Sequence, residues 1–253
     1  EKNLGCRKAV SGALNWFFSH EEEGIIVEDD VVPDVSFFHY AAELLERYRG
    51  HPQVGIISGD NFGGFPPDGD SYYFSRYFHC WGWATWRDKW AVYDDNVEQD
   101  DDYFSSQTFL AHMQLNPLYA RQWLSVRQSL LQNAVDSWAL RMNFSLLRAG
   151  LLCVTPAKNL CVNIGFGEDS THCVNKPHWF DQHVLMTLAF PLVHPAEVLL
   201  NAGSDQDEMQ NLYLVPPCVT CVQCGELAIE LPHSEQPRNK LGNTMYHCAH
   251  CGK

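Results

Sequence analysis

The chain has 253 residues, of which 45% are hydrophobic and 13% aromatic, so it can bury a substantial core and does not have the composition of a disordered protein. Its 31 acidic and 17 basic residues give a formal net charge of −14 without any Lys/Arg cluster, which argues against a nucleic-acid partner held through phosphate contacts. The apolar runs are too short to cross a bilayer, and the first residues show no signal-peptide pattern, so we expect a cytoplasmic protein without a membrane span.

The first part of the chain alternates helical and strand patterns. Apolar residues at helical spacing predict a helix over Cys6–His20, and a buried strand follows at Ile25–Val27. Asp34 can cap a second helix that ends at Gly50, and Gln53–Ser58 is typical of another buried strand. This order of elements predicts an α/β fold with a mostly parallel sheet flanked by helices.

The later elements are less regular. Tyr72–Phe74 predicts a short strand or sheet edge after a loop rich in Gly and Pro. Three further helices and one strand are expected at Tyr103–Leu115, Leu118–Leu131, Asp136–Arg148 and Leu151–Val154, respectively. The composition changes at the prolyl linker Val215–Pro217, so we divide the chain into a main domain, 1–214, and a cysteine-rich tail, 215–253.

Three consecutive carboxylates, Glu28, Asp29 and Asp30, follow the first predicted strand. Such acids repel one another unless a cation or ligand donors compensate their charge. Ligands of open α/β sheets bind outside the carboxyl ends of the strands, and Mg²⁺ and Mn²⁺ take carboxylate oxygens. The pattern therefore favours a divalent-metal site, and the alternative is an exposed acidic loop.

Tryptophan is concentrated in one short segment, which contains Trp81, Trp83, Trp86 and Trp90. Aromatic faces suit the apolar sides of sugar rings as well as protein cores. We expect at least two of these four side chains to lie in the core.

The tail contains two C-x-x-C-G turns, one with Cys221 and Cys224 and the other with Cys248 and Cys251. Two such turns supply four thiolates for tetrahedral Zn²⁺. A segment of about 36 residues cannot build an adequate core, so metal binding would provide much of its folding free energy. We therefore predict a structural zinc ribbon that can dock a protein partner. Redox pairs or a tail without metal are the alternatives.

Several motifs occur in a characteristic order: Asn3-x-Gly5-Cys6, Asn15–Phe18, Glu22–Asp30, Trp81–Trp86, Asp136–Trp138 and Asn163–His172. Together they resemble those of bacterial nucleotide-sugar glycosyltransferases of the GT-A fold, which are similar to the N-acetylglucosaminyltransferase I group. The resemblance covers roughly residues 3 to 200 and leaves out the zinc tail. It implies that the sheet has the GT-A-like arrangement of nucleotide-diphospho-sugar transferases.

The resemblance assigns a role to each carboxylate of the triplet. It implies that Asp30 binds the catalytic Mn²⁺ or Mg²⁺, that Asp29 contacts the nucleotide, and that Glu28 supports the loop. A metal on the diphosphate neutralises the charge that develops on the leaving group, so the family chemistry agrees with the residue pattern.

Other site residues are also implied by the resemblance. Asp136, at the start of a late helix, is expected to be the catalytic base, with a helix N-cap as the alternative. His172 is expected to complete the metal shell, although a hydrogen-bonded loop histidine is the alternative and Glu168–Asp169 compete for the same roles. Trp81 and Trp83 would line the donor or acceptor sugar.

The resemblance also implies base-binding strands that would precede Asn3 and that this sequence lacks. We expect either a fragment without these N-terminal strands or a protein without a base-binding half. The predicted function is a metal-dependent glycosyltransferase that moves a sugar, with inversion, from a nucleotide-diphosphate donor to a hydroxyl of a glycan, lipid-linked or protein acceptor.

Two other functions compete with glycosyl transfer. One is a non-catalytic, transferase-like binding or scaffold protein recruited by its zinc ribbon. The other is a metal-dependent nucleotidyltransferase or phosphohydrolase, against which the lack of a Gly-rich phosphate loop argues.

Overall fold

The computed structural model describes residues 3–63, 69–166, 183–215, 218–220, 223–224, 227–230, 246–247 and 251 of the chain. The helices in this part are α1 Gly5–His20, α2 Val35–Tyr48, α3 Arg87–Trp90, α4 Asp101–Phe104, α5 Gln107–His112, α6 Pro117–Leu131, α7 Trp138–Ala149 and α8 Ala202–Asn211. The strands are β1 Glu23–Ile26, β2 Val31–Pro33, β3 Val54–Ser58, β4 Tyr72–Ser75, β5 Trp83–Trp86, β6 Leu152–Pro156, β7 Cys161–Asn163, β8 Cys218–Thr220, β9 Leu227–Glu230 and β10 Tyr246–His247. Within these residues, no helix combines the length and the apolar character that crossing a membrane requires.

The largest sheet has five strands in the order β1-β5-β3-β6-β4. The β3–β6 pair is parallel, whereas the β1–β5, β3–β5 and β4–β6 pairs are antiparallel. The predicted α/β class with flanking helices is confirmed, but the prediction of a mostly parallel sheet is wrong. β5 lies between β1 and β3 and runs against both. Parallel neighbours are usually joined by a helical crossover, and the described residues between β3 and β5 contain no α-helix.

β1 lies at an edge of this sheet and pairs with β5 on one side. Its four residues are all half-buried, and the next residue, Val27, is 37% exposed. The prediction of a strand buried on both faces is therefore wrong for β1, although all five residues of β3 are buried as expected. A short apolar run does not specify whether a second strand will cover its free side.

Helices cover both faces of the sheet. Ile56 and Trp83 point to the face on which α1 and α7 pack. Ile57 and Ala84, their neighbours in sequence, point to the opposite face, which α2 covers. The alternation of side chains along each strand thus builds two cores and a three-layer arrangement of helix, sheet and helix.

Most helix predictions hold, with one exception. α1, α2 and α6 form where predicted, and Asp34 caps α2 by accepting the Ser36 N–H at 2.9 Å. The predicted helix Tyr103–Leu115 is instead divided into α4 and α5. Ser105 is the C-cap of α4, and Ser106 begins a new helix because its hydroxyl accepts the Phe109 N–H at 3.0 Å.

The tail contains a separate antiparallel sheet in the order β10-β9-β8. Cys224 lies between β8 and β9, Cys251 lies after β10, and both are half-buried. Cys221 and Cys248 lie outside the described residues. The zinc-ribbon interpretation of this tail therefore stays a prediction.

A buried ion pair anchors α7 beneath the sheet. Arg141 donates to both carboxylate oxygens of Glu98, through Nε at 3.1 Å and Nη2 at 2.8 Å. Its guanidinium also donates to the carbonyl oxygens of Asp95 at 3.2 Å and Ser137 at 3.0 Å. Arg141 is 0% and Glu98 3% exposed, so each charge depends on the other for compensation.

Removing one member of this pair should strongly destabilise the protein. We expect Arg141→Met to lower the free energy of unfolding by about 3–5 kcal/mol, because it leaves the Glu98 carboxylate buried without a countercharge. Arg49→Met breaks a solvent-exposed pair with Glu23, at 2.7 Å, and should cost at most about 1 kcal/mol. Urea denaturation measures both variants, and equal losses would contradict the prediction.

Candidate functional site

The carboxyl ends of β1 and β3 meet at one edge of the sheet. Trp83 of β5 pairs with Ile26 at the end of β1 and with Ser58 at the end of β3. The chain that leaves β1 carries Glu28–Asp30, and the chain that leaves β3 carries Asp60. This edge, which we call the acidic edge, therefore gathers carboxylates from two strands.

Glu28 lies at the acidic edge beside the start of α7. Burial raises the pKa of Glu28, and the charges of Asp30 and Asp29 raise it further. The side chain of Trp138, the first residue of α7, acts in the opposite direction and lowers this pKa. Asp29 itself is exposed in the turn that follows β1.

Asp30 lies between β1 and β2, under the loop that follows β7. The backbone oxygen of Asp30 accepts the Ile164 N–H at 2.8 Å, and the next residue, Gly165, touches the Asp30 side chain so closely that a Cβ would overlap it. Oδ1 of Asp30 is buried and has no hydrogen-bond partner among the described residues. A carboxylate oxygen withdrawn from water in this way requires a donor or a cation to offset its desolvation.

Asp136 precedes α7 at the same edge but does not cap the helix. Ser137 is the N-cap, since its hydroxyl accepts the Leu140 N–H at 3.2 Å. Asp136 is exposed, and its Oδ2 accepts a long hydrogen bond of 3.4 Å from the Arg7 N–H in the first turn of α1. The carboxylate is therefore accessible to a ligand.

Two thiols lie among these carboxylates. Burial raises the pKa of Cys6, and the charges of Glu28 and Asp136 raise it further. Burial also raises the pKa of Cys80, followed by the charges of Glu28 and Asp60. Both side chains are consequently held as neutral thiols, which are poor nucleophiles and poor metal ligands.

The tryptophans of the Trp-rich segment divide between the core and the site. Trp83 is 0% exposed and packs against Trp138 at 5.5 Å, so its ring offers no face to a sugar. Trp86 and Trp90 are 3% and 4% exposed, which confirms that at least two of the four lie in the core. Trp81 is only half-buried.

Trp81 belongs to an aromatic cluster beside the acidic edge, formed with Phe62, Phe166 and His183. The ring centroids of these three residues lie 5.7, 5.8 and 5.5 Å from that of Trp81. His183 stacks on Phe62 at 4.4 Å, and burial lowers its pKa to about 4, so the imidazole is neutral at physiological pH. The cluster provides an aromatic wall next to Asp30, because Phe166 directly follows the loop that covers that carboxylate.

Asp60 is a site residue that the sequence reasoning did not select. It is 1% exposed, its Oδ2 accepts the Trp81 N–H at 3.1 Å, and its Oδ1 is buried without a partner among the described residues. Burial raises its pKa well above the usual range, and the charge of Glu28 adds to this effect. The signal was present in the sequence, because Asp60 follows the predicted strand Gln53–Ser58 just as Glu28 follows the predicted strand Ile25–Val27.

A second group of buried acids lies on α8, which the sequence analysis did not predict. His79 Nε2 lies 3.0 Å from Glu208 Oε2, and the Ser75 hydroxyl donates to Asp205 at 2.6 Å. Burial raises the pKa of Asp205 to about 7. The Glu208 charge also raises the pKa of Asp60, so this group lies within electrostatic reach of the acidic edge.

Of the residues predicted to bind the catalytic metal, Asp30 lies in the described part of the chain. Asp30 lies at the acidic edge with an unsatisfied oxygen, as a cation ligand would require. Among the described ranges, no three His, Cys, Asp or Glu side chains are grouped closely enough to form a metal site. His172 and Glu168–Asp169, the other predicted contributors, lie outside those ranges.

Asp60 should make stability depend on pH in a defined direction. The pKa of Asp60 is about 3.9 in the unfolded chain and higher in the native protein, so native Asp60 keeps its proton to a higher pH. The free energy of unfolding therefore falls as the pH rises from the unfolded pKa towards the native pKa. Asp60→Asn keeps an acceptor for the Trp81 N–H and removes this titration. We expect the variant to be more stable at pH 7 by about 1–3 kcal/mol and equally stable near pH 3.

Urea denaturation at several pH values, with EDTA present, measures this difference. Asp102→Asn is the control, since Asp102 is exposed on α4 and should leave the pH profile unchanged. Parallel profiles for the wild type and Asp60→Asn would contradict the prediction.

Comparison of the chain with protein-family models gives no match, and comparison with curated protein sequences gives no match either.

Proposed function

We propose that this chain is a metal-dependent glycosyltransferase of GT-A type, which moves a sugar from a nucleotide-diphosphate donor to a hydroxyl acceptor with inversion. The observation that carries the proposal is the convergence at the acidic edge of Asp30, with its unsatisfied buried oxygen, Glu28, Asp60 and the accessible Asp136, next to an aromatic wall. Carboxylates beside an aromatic surface suit a ligand that combines a cation-bridged phosphate with a sugar ring.

The donor side of the proposed site uses the β1 turn. Asp30 would hold Mn²⁺ or Mg²⁺ through the oxygen that has no described protein donor, and exposed Asp29 would contact the nucleotide. When bound, such a cation supplies positive charge that offsets the charge developing on the leaving diphosphate. Trp81 would pack against an apolar face of the sugar, and Glu28, beside Trp138, would keep the conformation of the turn.

The acceptor side uses Asp136. In an inverting transfer the acceptor oxygen forms a bond to the anomeric carbon while the bond from that carbon to the diphosphate oxygen breaks. The acceptor proton must pass to a base, and the exposed carboxylate of Asp136, which does not cap α7, can take it. The products are the glycosylated acceptor and the nucleotide diphosphate.

Hydrolysis of nucleotide-diphosphate sugars tests both roles, because water can replace the acceptor. We expect the purified chain with Mn²⁺ to release the nucleotide diphosphate from a member of a donor panel. Asp136→Asn should lower the rate by about 10²–10⁴-fold, the usual contribution of a general base, and Asp30→Ala should abolish the Mn²⁺ dependence. Asp102→Asn, on exposed α4, should retain the wild-type rate.

Unchanged hydrolysis in both site variants would overturn the assignment. Calorimetry distinguishes the glycosyltransferase from the competing scaffold function. A natively folded chain that binds no nucleotide diphosphate in the presence of Mn²⁺ would favour a non-catalytic, transferase-like scaffold recruited by its tail.

The tail is proposed to bind structural Zn²⁺ and to dock a protein partner. We expect about one zinc ion per chain by elemental analysis, since the four motif cysteines suit a closed tetrahedral site. Cys221→Ser and Cys248→Ser should each lose this zinc, whereas Cys6→Ser, outside the two motifs, should retain it. Equal zinc content in all these variants would contradict the proposal.

A further inference from the structure

A cavity of about 210 Å³ lies at the end of the five-stranded sheet opposite to the acidic edge. Its lining includes Gln53 and Leu152, where β3 and β6 begin, and Leu147, near the end of α7. Leucine side chains from α7, from the start of β6 and from the segment before α8 form the apolar part of its wall. A cavity of this size can hold a small organic molecule.

Arg76 is the residue in the lining that carries a permanent charge. It follows β4 directly and is half-buried. No carboxylate in the described part of the chain forms an ion pair with it. Every other described arginine that is not exposed has such a partner: Arg7 with Asp95, Arg87 with Glu22, Arg127 with Asp101, Arg141 with Glu98, and Arg148 with Asp94.

Asp205, whose pKa the positive charge of Arg76 lowers, takes its hydrogen bonds from groups other than the Arg76 guanidinium. The Ser75 hydroxyl donates to Asp205 Oδ1 at 2.6 Å, and the backbone N–H of Arg76 donates to Oδ2 at 3.2 Å. The Arg76 guanidinium is therefore left to the cavity. In a chain with 31 acidic and 17 basic residues, a partly desolvated cation without a carboxylate partner is an exception that calls for an external anion.

His112, which also lines the cavity, contributes polarity but no charge. Burial lowers its pKa, and the positive charge of Arg76 lowers it further, so the imidazole is neutral at physiological pH. Its Nδ1 lies 3.0 Å from the Tyr103 hydroxyl. The lining therefore presents one positive charge, the neutral polar side chains of His112 and Gln53, and apolar walls.

We propose that this cavity binds a small organic carboxylate with an apolar body. The guanidinium fork of Arg76 matches a carboxylate in a bidentate arrangement, and one positive charge balances one negative charge. Leu147, Leu151 and Leu199 would cover the apolar part of the ligand. Inorganic phosphate has no apolar part and carries more charge than a single guanidinium offsets.

Ligand-observed NMR on the full chain, with benzoate as the probe, tests the proposal. Benzoate should bind, and benzyl alcohol, which has the same ring without the charge, should bind at least about tenfold more weakly. Inorganic phosphate at equal concentration should not displace benzoate. Equal binding of benzoate and benzyl alcohol would overturn the proposal, and displacement by phosphate would overturn the assignment to a carboxylate.

Substitutions of residues that line the cavity test whether benzoate binds there. Arg76→Gln should weaken benzoate binding at least about tenfold, whereas Arg121→Gln, on the exposed face of α6, should leave it unchanged. Leu199→Glu changes a side chain that is 66% exposed, so the fold should persist while the new carboxylate competes with the ligand for Arg76.

Wild-type affinity in both cavity variants would overturn the proposal. Asp30→Ala distinguishes binding in this cavity from binding at the acidic edge. It should not alter benzoate binding, because Asp30 lies at the opposite end of the sheet. Loss of benzoate binding in Asp30→Ala would place the ligand at the acidic edge instead and overturn the assignment.

Discussion

The buried guanidinium of Arg141 is the constraint on which the position of the acidic edge depends. A fully buried cation must have a countercharge and acceptors, and these bind α7 to the segment around Glu98. Other polar groups of α7 extend the same anchor. The Trp138 side chain lies beside Glu28 and lowers its pKa, and Asn143 accepts the backbone N–H of Phe78 at 2.8 Å. One helix therefore positions the turn after β1 and the segment that leads to the aromatic cluster.

The carboxylates of the acidic edge lower the stability of the folded protein. Asp30 and Asp60 each keep a buried carboxylate oxygen without a described partner, and Glu28 has a raised pKa. Carboxylates with perturbed pKa values in one place are characteristic of functional sites, where stability is given up for ligand binding. The cost would be offset by a ligand that brings positive charge or hydrogen-bond donors, which is why we favour a cation-bridged nucleotide sugar for this edge.

The two ends of the central sheet have opposite chemical character. The carboxyl ends of β1 and β3 carry acids, whereas the cavity where β3 and β6 begin contains Arg76 as its permanently charged group. The same elements, β3, β6 and α7, reach both places. The fold thus separates a site suited to a cation from a cavity suited to an anion, and the apolar core between them keeps the two charges apart.

Local features of the fold followed from the sequence alone. The helical periodicity of α1, α2 and α6, the Asp34 cap, the buried β3 and the acids at strand ends depend on neighbours within a few residues, and the structure contains all of them. The strand order, the edge position of β1, the complete burial of Trp83 but not of Trp81, and the burial of Asp205 on a polar helix depend on contacts between residues far apart in the chain. Only the tertiary structure decides these, because burial and pairing are properties of the partner as much as of the residue itself.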